Sequence, residues 1–266
     1  LLALFLMASC GRDDQSNRAR GTMLFVDPDV GIQNTDATVS SAPDAEPLIA
    51  DASLANTDGG QMDEWVESTF RIINPATGQG FSGVVVRGPL NEAVTNGQGQ
   101  ADLMLNTGQY EVQLEAMGAR RHRVVGVAGT EHFQQTTYLS PDAITGAVFG
   151  ALGINDDVGR GILVVGLDSA VLAPAVGAEA RISVEGGQPF VFQGNQPALG
   201  ATIPTGGQGF VTFPNVTPGM LHINVTYPDG QCLMFPAEIE ANEVTVYPGE
   251  VTVVAFVCRL TSKEKQ

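Results

Sequence analysis

The chain reads as all-β: two tandem antiparallel β-sandwiches after a disordered N-terminal tether, with one short connecting helix. Three observations carry that reading. Several stretches alternate strictly between apolar and polar residues, the period of a strand with one buried and one wet face. Turn formers separate them at short intervals, with 32 glycines and 15 prolines among 266 residues, the punctuation of half-buried strands in a sandwich. A turn-and-strand pattern in the first half of the chain also recurs in the second.

Residues 1–9 are apolar and end in small residues immediately before Cys10. That run resembles the lipobox of bacterial lipoproteins. The resemblance implies cleavage between Ser9 and Cys10 and a lipidated Cys10 at the mature N-terminus, with Gly11 favouring outer-membrane sorting. The opening at Leu1, without Met or a basic region, is read as a truncated signal peptide. The stretch falls short of the roughly 20 apolar residues that span a bilayer, and two acyl signals give a stable anchor where one does not.

Residues 10–64 form the expected tether, rich in Asp, Ser, Thr, Asn, Ala and Gly. Between positions 21 and 70 stand ten acidic residues and no basic one. Such a segment cannot bury enough apolar surface to offset backbone ordering, and its like charges keep it extended. Met23-Leu-Phe-Val26 is its single apolar island. Asp27-Pro-Asp29 lacks the remaining ligands and the closing glutamate of a calcium loop, so no metal is expected. The net charge of −16 argues against nucleic acid, whose phosphates need clustered Lys and Arg.

From Trp65 the pattern turns to strands. Phe70–Asn74, Gly83–Arg87, Tyr110–Ala116, Arg123–Val127 and Phe133–Leu139 fill the first sandwich, residues 65–140. Asn96-Gly97 is a turn signal within it. A connector over 141–160 carries the helix, with Ser140 as expected N-cap, Pro141 in the first turn, and Ile144, Val148 and Leu152 on one face. Glycines 146 and 150 weaken it by about 1 kcal/mol each relative to alanine. The second sandwich, residues 161–260, contains the alternating runs Ala178–Val184, Leu221–Tyr227 and Val251–Cys258, and 261–266 form a tail.

The repeat aligns Thr95-Asn-Gly-Gln-Gly99, Gly108 and Tyr110 with Thr205-Gly-Gly-Gln-Gly209, Gly219 and Leu221. With Gly118, the first copy meets the turn-and-strand signature of the carboxypeptidase regulatory-like family, and resembles it. The second copy matches more weakly, with leucine in place of tyrosine and an extra stretch from Gly186 to Pro204. The resemblance implies an Ig- or prealbumin-like sandwich without catalytic residues of its own.

Three cysteines occur. With Cys10 taken by lipid, Cys232 and Cys258 are expected to form one disulfide, closing a loop worth roughly 3 kcal/mol; two buried free thiols are the alternative. No metalloprotease, nucleophile-elbow or phosphate-loop motif is present, and no cofactor is expected. His122 lies in the basic cluster Arg120-Arg-His-Arg123, read as a solvated face or as a contact for an anionic headgroup or polymer. His132 is isolated, and His222 occupies a wet-face position. Phe190, Phe192, Phe210 and Phe213 are read as core, with an aromatic sugar platform as the alternative.

The function expected is therefore a non-catalytic cell-envelope lipoprotein, on the periplasmic or cell-surface side, presenting two sandwiches for binding or architecture. Its partners would be the membrane through Cys10 and an envelope protein or glycan. The alternative is a carbohydrate-binding module for envelope or external polysaccharide.

Overall fold

The computed structural model describes residues 64–261, apart from 76, 172 and 229. Cys10, residues 1–9 and the tether up to 63 lie outside the described residues.

The first copy contributes β1 (Trp65–Ile73), β2 (Val85–Arg87), β3 (Glu92–Val94), β4 (Gln100–Asn106), β5 (Gly108–Glu115), β6 (His122–Ala128) and β7 (Phe133–Tyr138). The helix α1 (Asp142–Leu152) follows. The second copy contributes β8 (Gly161–Ser169), β9 (Glu179–Ile182), β10 (Phe190–Gln193), β11 (Gln196–Leu199), β12 (Gly207–Val216), β13 (Gly219–Thr226), β14 (Gly230–Met234), β15 (Glu243–Val246) and β16 (Val251–Leu260). The all-β class and the tandem sandwiches hold. β3, β10, β11, β14 and β15 are short or poorly alternating and were not individually legible.

The duplication is visible in the strand order. β1 lies between β4, antiparallel, and β7, parallel; β8 lies between β12, antiparallel, and β16, parallel. The facing layers also match: β5 pairs antiparallel with β2 and β6, and β13 with β9 and β15. Most pairs are antiparallel, as expected, and the parallel pairs recur at equivalent places.

The copies are also fused. β6, at the edge of the first copy, pairs in parallel with β16, His122–Val125 against Val251–Val254. One ten-stranded sheet therefore runs through both. Its two cores lie on opposite faces, as β6 shows: Val124 and Ala128 belong to the first core, Val125 and Val127 to the second. Alternate residues of one strand thus serve both cores. Val253 stands beside Val124 in register, so the small cluster under α1, built on Phe149, Ile162, Phe190 and Val251, covers the face that carries the first core.

The helix begins one residue later than a Ser140 cap would place it. Pro141 takes the cap position without a side-chain hydrogen bond, and Gly153 ends the helix in the left-handed region at φ 67°, where glycine avoids a Cβ penalty. Ser140 instead directs its N–H at His122 Nε2, 3.4 Å away. No helix among the described residues is long and apolar enough to cross a membrane.

Cys232 and Cys258 face each other across β14 and β16, with Cα atoms 4.0 Å apart, and are disulfide-bonded. β14 extends the edge of β16 beyond the point where β6 stops pairing. Replacing both cysteines by alanine is expected to lower stability in urea unfolding by roughly 3 kcal/mol, with the far-UV spectrum unchanged. An unchanged midpoint would show that β14 is held without the bridge.

Candidate functional site

The signature residues of the first copy act on the backbone. Thr95 is buried; its hydroxyl donates to Phe81 O at 2.6 Å and accepts from Val84 N–H at 2.9 Å, pinning the loop into β2. Gly99 has φ +75°, and a Cβ there would stand 2.3 Å from Ile72 O, so no other residue fits. Tyr110 hydrogen-bonds Gln135 inside the core, and the tyrosine leaves no room for a Cβ at Gly126.

In the second copy the residue register differs from the sequence alignment. The turn closing onto β4 runs from Asn96 O to Gly99 N–H, and the turn closing onto β12 from Pro204 O to Gly207 N–H. Gly207 therefore takes the place of Gly99, and buried Ile203 that of Thr95. Thr205 is exposed and does not repeat the Thr95 clamp. The longer β12 absorbs its extra residues in a register shift between Phe213 and Val216.

The basic cluster is neither a solvated face nor an open anion site. Strand alternation buries His122, 3% exposed, and sends Arg121 and Arg123 to the other face. Arg123 ion-pairs with Glu111 of β5 and with Glu250 at the start of β16, and its guanidinium lies 3.8 Å from the Tyr247 ring centre. Arg121 reaches Glu115 at 2.7 Å and Glu250 at 3.1 Å. Arg120 pairs with Asp156 and lies 3.6 Å from Asp142. Side-chain exposures of 11% for Arg123 and 14% for Glu250 make this a half-buried seam between the copies, where removing one partner strands the other. Burial pushes the His122 imidazole down to about 4, so it is neutral at physiological pH. The sequence signal was the spacing: arginines two apart on a strand share a face.

On the α1 side of the sheet an aromatic row runs Phe149, Phe190, Phe192, Phe210, Tyr138, with neighbouring centroids between 5.6 and 6.3 Å. Phe190 and Phe213 are buried, as the core reading expects. Phe192 and Phe210 are half-buried and their rings are tilted by 55°, so they offer no flat platform for a sugar ring. Asp168 lies beside this row. It is the lone charge in the apolar strand Gly161–Ser169, a signal the sequence displayed and our reading passed over. Burial raises its carboxyl to about 6, and no hydrogen bond or ion pair reaches the carboxylate among the described residues. Burial raises the Tyr138 hydroxyl too, and the neighbouring Asp168 carboxylate raises it further.

His222 is exposed on β13, 3.6 Å from Glu243, and His132 is exposed and separate. Among the described residues no group of three His, Cys, Asp or Glu side chains could hold a metal ion. An open apolar groove of about 320 Å³ lies at the edge of the second sandwich, between Ile182, Val184, Pro189 and Phe213.

No protein-family model matches the chain, and no curated protein matches it. Among solved structures it is similar to the minor pilin GBS52 of Streptococcus agalactiae, at 15% identity over 75% of this chain and 98% of that one, TM-score 0.27. The TIE protein of Bacillus anthracis is similar at 11% identity over 73% of this chain and 34% of that one, TM-score 0.24. The shaft pilin SpaA of Lactobacillus rhamnosus GG is similar at 8% identity over 73% and 97%, TM-score 0.20. The chain thus spans about a third of the B. anthracis protein. The fold itself is defined by the strand pairing.

Two outcomes follow from the seam and its surroundings. Arg123→Met is expected to cost roughly 1–3 kcal/mol, because Glu250 then stays half-buried with Arg121 alone; an unchanged denaturation midpoint would remove the seam from the stability account. For Asp168, a folded pKa above the usual 3.8 means that the folded chain holds a proton the unfolded chain releases, so stability falls as pH rises from about 4 to 6. His122 acts oppositely: its depressed folded value makes stability rise with pH between about 4 and its ordinary 6.5. Asp168→Asn is therefore expected to stabilise at pH 7 by at most about 3 kcal/mol and to have little effect at pH 4, as read by thermal melts across that range.

Proposed function

We propose that the chain is a non-catalytic cell-envelope lipoprotein that displays a fused pair of β-sandwiches for binding or structural roles. Residues 65–140 and 161–260 are its two domains, and the first belongs to the carboxypeptidase regulatory-like family. The observation that carries the non-catalytic reading is the fate of the chemically capable side chains. His122 is buried and neutral, Arg120, Arg121 and Arg123 are engaged in internal ion pairs, and Cys232 and Cys258 are bonded to each other. The disulfide supports an oxidising compartment. The run before Cys10 supports lipidation there, and the acidic residues between 21 and 70 support an extended tether between membrane and sandwiches. The buried Thr95 clamp and the left-handed Gly99 support the family assignment of the first copy.

Anchoring is tested on the precursor in a bacterial host. Labelled palmitate is expected to enter the wild-type chain, and Cys10→Ala is expected to lose both label and membrane fractionation. Equal labelling of the two would end the lipoprotein reading.

A further inference from the structure

Sheet edges expose unpaired N–H and C=O groups, and native chains guard them. Most sheet ends of this molecule carry a visible guard. β11 contains Pro197, and β3 is three residues long with Glu92 at its start. Asn91 Oδ1 accepts from the Met104 N–H on the outer edge of β4 at 3.0 Å. On β15, the Glu243 and Thr245 carbonyls accept from Gln109 and Thr252. β9 is tied to residues 201–203 through the Ala180 N–H and the Ala178 carbonyl.

β7 has none of these. Its sequence, Phe-Gln-Gln-Thr-Thr-Tyr, contains no charge, proline or glycine. It pairs only with β1 and ends its sheet. The Leu139 N–H donates to Ile73 O at 3.1 Å. By the alternation of a parallel ladder, the backbone groups of Gln134 and Thr136 then point away from β1, and both residues are exposed. Beside this edge stands the second copy: Phe133 meets Phe235 at 6.4 Å and Tyr138 meets Phe210 at 6.3 Å. The neighbouring face of the ten-stranded sheet has small, half-exposed Gly166 and Ala255 in register. Asp168 lies along the same face near Tyr138.

We propose that the β7 edge accepts an extended peptide segment of a partner protein as an added strand, with a lysine or arginine of that segment received by Asp168. Strand addition satisfies the backbone groups of Gln134 and Thr136, while alternate side chains of the guest rest on the small-residue face. The charge pattern selects a cation: the span 64–261 carries eighteen acidic residues against eight arginines and no lysine, and among the described residues no hydrogen bond or ion pair engages the Asp168 carboxylate. The second copy stands beside the edge at Phe210 and Phe235, which favours a single strand over a second folded chain as the guest. The proposal deepens the binding role put forward above and rests on it, but not on the lipid anchor.

The probe is a fluorescein-labelled hexapeptide of alternating valine and threonine with one lysine, and its counterpart with glutamate in place of the lysine. Added to the full chain, the lysine peptide is expected to give saturable anisotropy, to bind at least about tenfold tighter than the glutamate peptide, and to slow amide exchange at Gln134 and Thr136. Thr136→Pro, which removes one outward N–H at an exposed position, is expected to abolish binding with the far-UV spectrum unchanged; Thr136→Lys serves if the proline variant does not fold. Asp168→Asn is expected to erase the lysine preference while leaving weaker binding. Absence of saturable binding, or binding indifferent to both Thr136 variants, would overturn the proposal. A concentration-dependent dimer in sedimentation, lost in Thr136→Lys, would assign the edge to a second copy and overturn it equally. Loss of palmitate labelling in Cys10→Ala leaves this test untouched.

Discussion

The pairing of β16 on both sides at once holds the rest of the architecture in place. Its eight residues Val251–Cys258 run parallel to β8 on one side; its first half runs parallel to β6 on the other, and its second half antiparallel to β14. Without that strand the second sandwich loses an inner layer and the first loses its neighbour. Among the described residues the last strand therefore joins elements laid down earlier in both copies, and few of its contacts are local. Parallel pairing over such separations is slow to form, and the disulfide between Cys232 and Cys258 fastens the far end of β16 once it is in place.

The seam follows from this pairing. Placing β6 beside β16 brings Arg121 and Arg123 next to Glu250, while Val125 and Val127 enter the second core. The two kinds of contact do different work. Burial of the valines supplies the non-directional share of the adhesion, at about 25 cal/mol per Å². The ion pairs add less net stability than their number suggests, because both ends are desolvated; they fix register instead, since a one-residue slip of β6 would turn the arginines toward the buried face of His122 and send Val125 and Val127 to the first core. The basic cluster is thus spent inside the molecule, which is why it offers little to an external anion.

Much of the fold was legible in the sequence, and the limits have physical causes. Tyr110–Ala116, Leu221–Tyr227 and Val251–Cys258 announced themselves because each has one wet face. β8 is apolar on both faces, Ile162 and Val164 against α1 and Leu163 and Val165 in the second core, so it shows no period of two and gives no hint of which layer it joins. The duplication was visible in glycines and turns, but its register at Thr205 was off by two, because the two copies share the position of a turn rather than a residue name, and the left-handed glycine moves from Gly99 to Gly206 within it. Ile203 can replace Thr95 only where the loop it faces no longer needs a clamp. The seam was hidden for another reason: its partners, Glu111 and Glu250, stand 12 and 127 residues from Arg123, and no local pattern reports so long a pairing.

Fusion through one sheet has a consequence for how the molecule meets its surroundings. Two sandwiches on a flexible linker would each present their own surfaces, and a partner bridging them would have to order the linker as it bound. Here the relative placement is fixed by backbone hydrogen bonds, so surfaces drawn from both copies are preorganised. The face shared by β7, Phe210 and Asp168 is such a surface, since no single copy contains all of it. The same fusion creates its one weakness. β7 ends a small sheet beside a larger one, and the neighbouring face there carries the small residues Ala255 and Gly166. An open edge beside a face of small residues is then a consequence of joining the copies in this way, and a guest strand is the simplest chemistry that satisfies both.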